Sequence, residues 1–275
     1  MRTFHRSLSA FVILALTFSA CSTFSSKEKG EPGVMRVGIN TSYPPLGFEQ
    51  DGKVQGVEAD FAQMLGKQLG KEIRFVPLPL KDLIPALEKD RIDIIMAGMS
   101  VTEARAKKVA FCEPYARVGQ MALVRKEDYN KYRAANALNW PTSRVGVKDH
   151  STGERFAKQS LGAAKVVEFN TVDEGIAALR AGQVDFFIHD APTIWRVAGS
   201  PLKADPDLAG LYTPLTEEYL AWAVRKDDTA TREQLNAIVA KWKTDGQIQT
   251  VLDKWVPIRK VAKNPMMDSP APTAP

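Results

Sequence analysis

An arginine closes the run Gly98-Met99-Ser100-Val101-Thr102-Glu103-Ala104-Arg105, which directly follows an apolar, strand-like stretch. Backbone N–H groups at Gly98 and Ser100, the Ser100 hydroxyl and a guanidinium fork suit a carboxylate, since arginine grips that group with paired hydrogen bonds. The same spacing also fits a solvated helix residue beside Lys107 and Lys108. In the second half, His189-Asp190-Ala191-Pro192 sets an acid after another apolar stretch. Asp190 suits an ammonium group, or else caps the helix that follows. One cation and one acid from different halves would form a trap for a zwitterion. Enclosing both charges costs several kcal/mol per ion unless the guest pairs them, so closure would require the guest. The loop Tyr43-Pro44-Pro45-Leu46-Gly47-Phe48 offers Tyr43 and Phe48 as aromatic walls, with a place in the core open to each. Leu80 and Trp195 are further apolar candidates, Trp195 reading mainly as helix packing.

The elements that would position these residues alternate between strand-like and helix-like runs, the pattern of βα units on largely parallel sheets. Strands are predicted at 35–40, 72–77, 91–97, 144–148, 166–168 and 184–189, and helices at 58–69, 80–89, 153–160, 172–181 and 231–243. Thr171 with Glu174 writes a capping box at the start of the helix at 172. Asp51-Gly52 marks a hairpin turn. The run from Ile84 to Ile95 (Ile-Pro-Ala-Leu-Glu-Lys-Asp-Arg-Ile-Asp-Ile-Ile) is echoed from Ile176 to Phe187 (Ile-Ala-Ala-Leu-Arg-Ala-Gly-Gln-Val-Asp-Phe-Phe), and Val37-Gly38-Ile39 by Val145-Gly146-Val147. Two copies of one design imply two lobes. Ligands of open α/β sheets sit beyond the carboxyl ends of the strands, which selects the loops at 40–48, 98–105, 150–152 and residue 190.

Arg2 and Arg6, the apolar run from Phe11 to Phe18, and Ser19-Ala20 before Cys21 read as an export signal. The apolar run is too short for a stable span, and no later stretch approaches the roughly 20 apolar residues of a transmembrane helix. Phe18-Ser19-Ala20-Cys21 resembles a bacterial lipobox, which makes Cys21 the acylated first residue of the mature chain; a simple cleaved signal is the alternative. Cys112 is then left without an intramolecular partner and reads as a small packed side chain. Residues 22–33 are polar and suit a tether, and residues 259–275 are proline-rich and aperiodic. With 275 residues, 44% of them hydrophobic and 25% charged, there is ample core for one large or two moderate units. The net charge of +5 is scattered, without the basic stripe that nucleic-acid binding needs.

The segments Met35-Arg36-Val37-Gly38, Tyr43-Pro44-Pro45, Gln55-Gly56-Val57-Glu58, Leu83-Ile84-Pro85-Ala86-Leu87, Ile92-Asp93-Ile94-Ile95, Thr102-Glu103-Ala104-Arg105, Phe111-Cys112-Glu113-Pro114-Tyr115 and Lys243-Thr244-Asp245-Gly246, taken in order, resemble the bacterial family 3 extracellular solute-binding proteins. The resemblance implies an α/β, two-lobed periplasmic binding protein fold of type II, with two hinge strands near 119–125 and 219–225 and a ligand cleft between the lobes. It implies lobe 1 from 34–120 and 224–258, and lobe 2 from 121–223. By position it makes Arg105 the grip on an α-carboxylate, Gly98, Ser100 and Thr152 its hydrogen-bonding helpers, Asp190 the acid for an α-ammonium, and Tyr43 and Leu80 side-chain walls. Asn40 stands where relatives that bind cationic side chains often have Asp. His150 replaces a common Gly, and either Leu46 or Phe48 is the further wall. The implied partners are a small amino-acid-like ligand, an ABC transporter permease, and a membrane reached through the N-terminal lipid, with a monomer expected outside the cytoplasm.

The same fold has been recruited as a cyclohexadienyl or arogenate dehydratase, so an enzyme is the main alternative, and a ligand-presenting sensor component is another. Ala191-Pro192-Thr193-Ile194-Trp195 offers no second carboxylate for general acid work. His150 and His189 are too few for a zinc site. No phosphate loop, Ser-His-Asp order or reactive-cysteine setting emerges, so neither cofactor nor catalytic residue is expected.

Overall fold

A computed structural model describes residues 33–199 and 205–256. The export signal, Cys21, nearly all of the tether and the 259–275 tail lie outside the described residues. Two five-stranded sheets form two lobes. In the first, Val34–Ile39 lies between Glu72–Pro77 and Ile94–Ile95, all parallel, and Ala223–Arg225 then runs antiparallel beside Ile94–Ile95 and Val109–Phe111. In the second, Arg144–Lys148 lies between Lys165–Phe169 and Phe186–Asp190, again parallel, and Gln120–Arg125 runs antiparallel between Phe186–Asp190 and Leu208–Leu211. The order is the same in both: three parallel strands, then one from the other part of the chain. Ala116–Val118 and Glu218–Leu220 pair antiparallel as a separate ribbon between the sheets.

The internal echo is also a shared ion pair. Arg36 donates from its backbone N–H and Nε to Asp93 Oδ2 (2.8 and 3.1 Å) and from Nη2 to Oδ1 (2.7 Å). In the other lobe Arg144 makes the same three bonds to Asp185, at 2.8, 3.0 and 2.8 Å. Each arginine stands one residue before a Val-Gly pair and binds the aspartate of its own lobe's Ile-Asp or Val-Asp motif, tying the central strand to the turn that leads into the next strand. Burial raises the pKa of Asp93 and Asp185, but the bonds and charges of Arg36 and Arg144 outweigh it and hold both carboxyls below their usual value.

One element differs from the sequence reading: the strand expected at 91–97 is reduced to Ile94–Ile95, just past Asp93, whose N–H bonds the Arg36 carbonyl (2.8 Å). Helices Val57–Leu69, Leu80–Glu88, Thr152–Ser160 and Val172–Arg180 stand where expected, the last with both arms of its capping box. The Asp51-Gly52 turn joins Gly47–Gln50 to Lys53–Gln55 with both residues at positive φ (52° and 70°). Thr229–Thr244 begins earlier than expected, where Asp228 accepts the Thr231 N–H. Gln247–Trp255 was not anticipated; it buries Ile248, Val251 and Leu252, three and four apart, after Gly246 at φ 79°. No helix among the described residues is long and apolar enough to cross a membrane.

Candidate functional site

Arg105 sits on the short helix Glu103–Ala106, whose start is fixed by Thr102 Oγ1 accepting the Arg105 N–H (3.2 Å). Its guanidinium turns inward rather than to solvent. Nη1 donates to the Ser100 carbonyl (3.0 Å) and Nη2 to the His150 carbonyl of the other lobe (3.3 Å). His150 offers that carbonyl from a left-handed backbone (φ 55°), while its side chain is exposed.

Asp190 ends the strand Phe186–Asp190 and is buried. It precedes a helix but makes no side-chain cap. One carboxylate oxygen accepts the Tyr43 hydroxyl from the first lobe, the other the Gln120 amide. Burial, then the charge of Glu218, raises Asp190 from its usual value to about 7, against hydrogen bonds from Tyr43 and Gln120 and the positive charge of Arg105. Burial lowers Arg105, while Asp190 and Glu218 act the other way. The two singled-out charges therefore lie near enough to feel one another, and two polar contacts join the lobes beside them.

Gln120 and Glu218 are functional candidates that the sequence reading missed. Gln120 Nε2 faces Asp190, Thr152 Oγ1 (3.1 Å) and Glu218 Oε1 (3.2 Å). An amide has only two N–H hydrogens for those three acceptors. Glu218 also takes the Thr216 hydroxyl (2.9 Å), and its Oε2 is buried without a partner. Its neighbour Glu217 is an ordinary surface acid paired with Arg117 (2.6 Å). Nothing in the local sequence separates Glu217 from Glu218; only the strand pairing of Glu218–Leu220 with Ala116–Val118 does. The second carboxylate near Asp190, absent from residues 191–195, thus arrives from the connecting ribbon.

Tyr43 is buried, with its ring edge-to-face on His189 (4.8 Å between centroids). His189 is lowered to about 3 by burial, then by Lys148 and Arg196, so it is a neutral packing residue. Gly98 adopts φ 62°, and a Cβ there would come within 2.9 Å of both Tyr43 and Leu46. Its N–H is not open to a carboxylate as expected; it bonds Glu58 Oε1 at 2.5 Å. Glu58, fully buried, also accepts the Tyr115 hydroxyl (2.6 Å) and Trp222 Nε1 (3.1 Å), and burial raises it to about 7 against those three bonds. Ser100 and Thr152 are buried, Thr152 at the start of its helix.

Leu46 is buried behind Gly98, whereas Phe48 stands edge-to-face on Trp255 (5.6 Å). Phe48, Trp195 and Trp255 line an 800 Å³ interlobe crevice. Leu80 lines a smaller one of 330 Å³ with Asn40, Lys148, Asp149, Asn170 and Thr171. Neither lining includes Arg105 or Asp190. Cys112 is buried, and burial pushes its thiol up to about 12.

Two lobes of one topology, with a half-buried cation of one near a buried acid of the other, define a two-lobed periplasmic amino-acid-binding fold. The chain belongs to the bacterial extracellular solute-binding proteins, family 3, whose profile it matches over residues 35–258. It is 29% identical to the L-cystine-binding protein TcyJ of Escherichia coli K12, covering 82% of this chain and 83% of that one. Among solved structures, it superposes on a putative ABC-transporter binding component from Wolinella succinogenes complexed with lysine (TM-score 0.77, 31% identity, 82% and 97% coverage). It superposes likewise on the ancestral amino acid-binding protein AncCDT-1, a precursor of cyclohexadienyl dehydratase (TM-score 0.74, 32% identity, 82% and 95% coverage).

Proposed function

We propose that this chain is an extracytoplasmic solute-binding protein that captures an amino acid by lobe closure and delivers it to an ABC importer. The observation that carries the reading is the approach of Arg105 and Asp190 from opposite lobes, Asp190 buried and Arg105 half-buried, with Tyr43 and the His150 carbonyl joining the lobes beside them. Arg105 takes the ligand carboxylate and Asp190 its ammonium. Ser100 and Thr152 add hydrogen bonds. Gly98 supplies backbone shape, its N–H being committed to Glu58. Tyr43 and Leu80 wall the ligand, with Phe48 nearer the wider crevice. Residues 34–120 with 224–258, and residues 121–223, act as the two rigid bodies. In the closed state a ligand's ammonium replaces the Tyr43 hydroxyl as the main partner of Asp190, so no charge stays unpaired.

Cys21 carries the lipid that holds the protein at the membrane, and the chain works as a monomer. Loss of labelled-palmitate incorporation in Cys21→Ser checks the anchor. The central test is calorimetry against a panel of amino acids, with Arg105→Ala beside the wild type. Removing one partner of a buried charge pair costs about 3–5 kcal/mol, enough to erase most of the roughly −8 kcal/mol of a micromolar complex. Near-normal affinity in Arg105→Ala overturns the assignment.

One observation favours the dehydratase alternative: Asp190, held at about 7, has Glu218 as a charged neighbour, and a proton donor near neutrality is what general acid catalysis needs. Binding without turnover remains the better reading, because Glu218 and Gln120 hold Asp190 in a hydrogen-bonded network with Thr152. Prephenate or arogenate consumption by the purified protein reverses that preference.

A further inference from the structure

Among the described residues, the large hydrophobic side chains that stand exposed are Tyr129 (39%), Trp140 (39%) and Tyr212 (47%), and all three belong to the second lobe. They are neighbours. Tyr129 opens the helix Tyr129–Tyr132, and Tyr132, three positions on and so on the same side of the turn, is buried with its ring against Trp140 (6.1 Å between centroids). Burial first and Tyr129 second raise the Tyr212 phenol above its usual value, as two rings close together require. Tyr212 lies back over Gly210, where an added Cβ would come 2.7 Å from its ring. Trp140 and Tyr212 thus rest on the fold at Tyr132 and Gly210, each with another side turned to solvent.

The charge around these rings is positive. From Tyr129 to Lys148 the chain carries Lys131, Arg133, Arg144 and Lys148 and no acid. Lys148 is buried beside Asp149 and Arg144 is paired with Asp185 (2.8 Å), which leaves Lys131 and Arg133 exposed near the rings. Lys131 Nζ stands 4.6 Å over the Tyr132 ring. Lys165 adds an exposed cation from the adjoining strand: its N–H bonds the Ser143 carbonyl (2.8 Å), and the Ala163 N–H bonds the Asn139 side chain (2.9 Å), which brings that segment alongside Trp140. The acids just before Tyr129, Glu127 and Asp128, both face Arg125 (3.6 and 2.5 Å). Exposed Asp207 is matched by exposed Lys126, whose N–H bonds the Asp207 carbonyl (2.8 Å). Rings of this kind settle at the headgroup level of a bilayer, and each lysine or arginine near an anionic surface adds attraction. Protein–protein interfaces are depleted in lysine, whereas two of the three cations beside the rings are lysines. Trp140 also precedes the strand Arg144–Lys148, while His150 and the cleft lie past its far end, roughly 16 Å on for five residues, so a surface against Trp140 leaves the cleft clear. We propose that the face of Tyr129, Trp140 and Tyr212, with Lys131, Arg133 and Lys165, is a bilayer-contacting surface that seats the second lobe on anionic lipid headgroups, independently of any lipid on Cys21.

The test is vesicle co-sedimentation of the chain from Ser22 onward, which keeps every described residue and lacks Cys21 and the apolar run before it. The probes are vesicles of phosphatidylglycerol mixed with phosphatidylcholine, and of phosphatidylcholine alone. The expected result is preferential binding to the anionic vesicles that weakens as salt screens the charges. Lys131→Gln and Arg133→Gln should each lower it about fivefold, and Tyr129→Ser with Tyr212→Ser should remove most of what remains. Brominated lipid should quench the wild-type fluorescence, and Trp140→Phe should keep the binding but lose that quenching, because Trp195, Trp222 and Trp242 are buried. The quenching needs no charge or tyrosine variant, so it decides the matter even where one of those fails to fold. Absence of binding to the anionic vesicles overturns the inference, as does binding that the charge and tyrosine variants leave unchanged. A wild-type dimer in solution that Trp140→Ser abolishes gives the face to a second copy and overturns it too. None of these outcomes bears on the amino-acid reading, which the calorimetry above tests separately.

Discussion

Lowering the pH should weaken the ligand by protonating Asp190. In the free protein this carboxyl sits at about 7, raised by burial first and the charge of Glu218 second. A ligand ammonium against it adds a positive charge that favours the ionised form, so the bound protein holds Asp190 at a lower pKa than the free one. The sign follows: affinity is flat above pH 7, falls as pH drops below it, and binding there releases a proton. At pH 5.5, about 1.5 units below the free value, the loss approaches 30-fold, or about 2 kcal/mol at 1.36 kcal/mol per unit. The assay is calorimetry from about pH 5.5 to 7.5 in two buffers of different ionisation enthalpy, which counts the proton directly. Asp190→Asn should bind more weakly throughout and show no slope. His150 is exposed, and only its carbonyl meets Arg105, so His150→Gln should keep the wild-type profile. A wild-type dissociation constant constant to about twofold over this range, with no proton release, would refute the reasoning.

Glu58 makes a prediction about stability. Its folded pKa of about 7 lies above its ordinary value of 4.5, so the native state holds the proton more tightly, and the contribution is full below about pH 4.5 and lost as pH rises through about 7. That is worth up to about 3 kcal/mol, and urea titrations should show Glu58→Gln flattening this decline. Glu58→Ala strands the Gly98, Tyr115 and Trp222 donors, each costing about 1–3 kcal/mol when buried unpaired, and should lower the melting temperature sharply at every pH. Cys112, with its thiol at about 12 and its side chain buried, should resist maleimide in the folded Cys21→Ser chain and react fully in denaturant; rapid native labelling would contradict its packing.

The internal repeat is written along the chain, and with it the two-lobed architecture. Helix periodicity, the Thr171–Glu174 box and the Asp51-Gly52 turn are local interactions, written in residues that touch their near neighbours, and the structure has them in place. Arg105 and Asp190 stand out in the sequence as candidates because each follows an apolar stretch at the edge where α/β sheets present ligands. The sequence also carried Arg36 and Arg144 before their Val-Gly pairs, but their partners, Asp93 and Asp185, lie far along the chain, and only the sheet brings them together. The same holds for the Gly98 N–H: a donor on paper, it is consumed by Glu58 from a helix packed beneath it. Glu218 marks the limit most clearly, since adjacent glutamates of identical chemistry differ only in which face of the connecting ribbon they occupy. Local hydrogen bonds and periodicity are fixed within a few residues of chain, whereas burial, and with it the charge state of an acid, depends on whatever the rest of the fold lays against it.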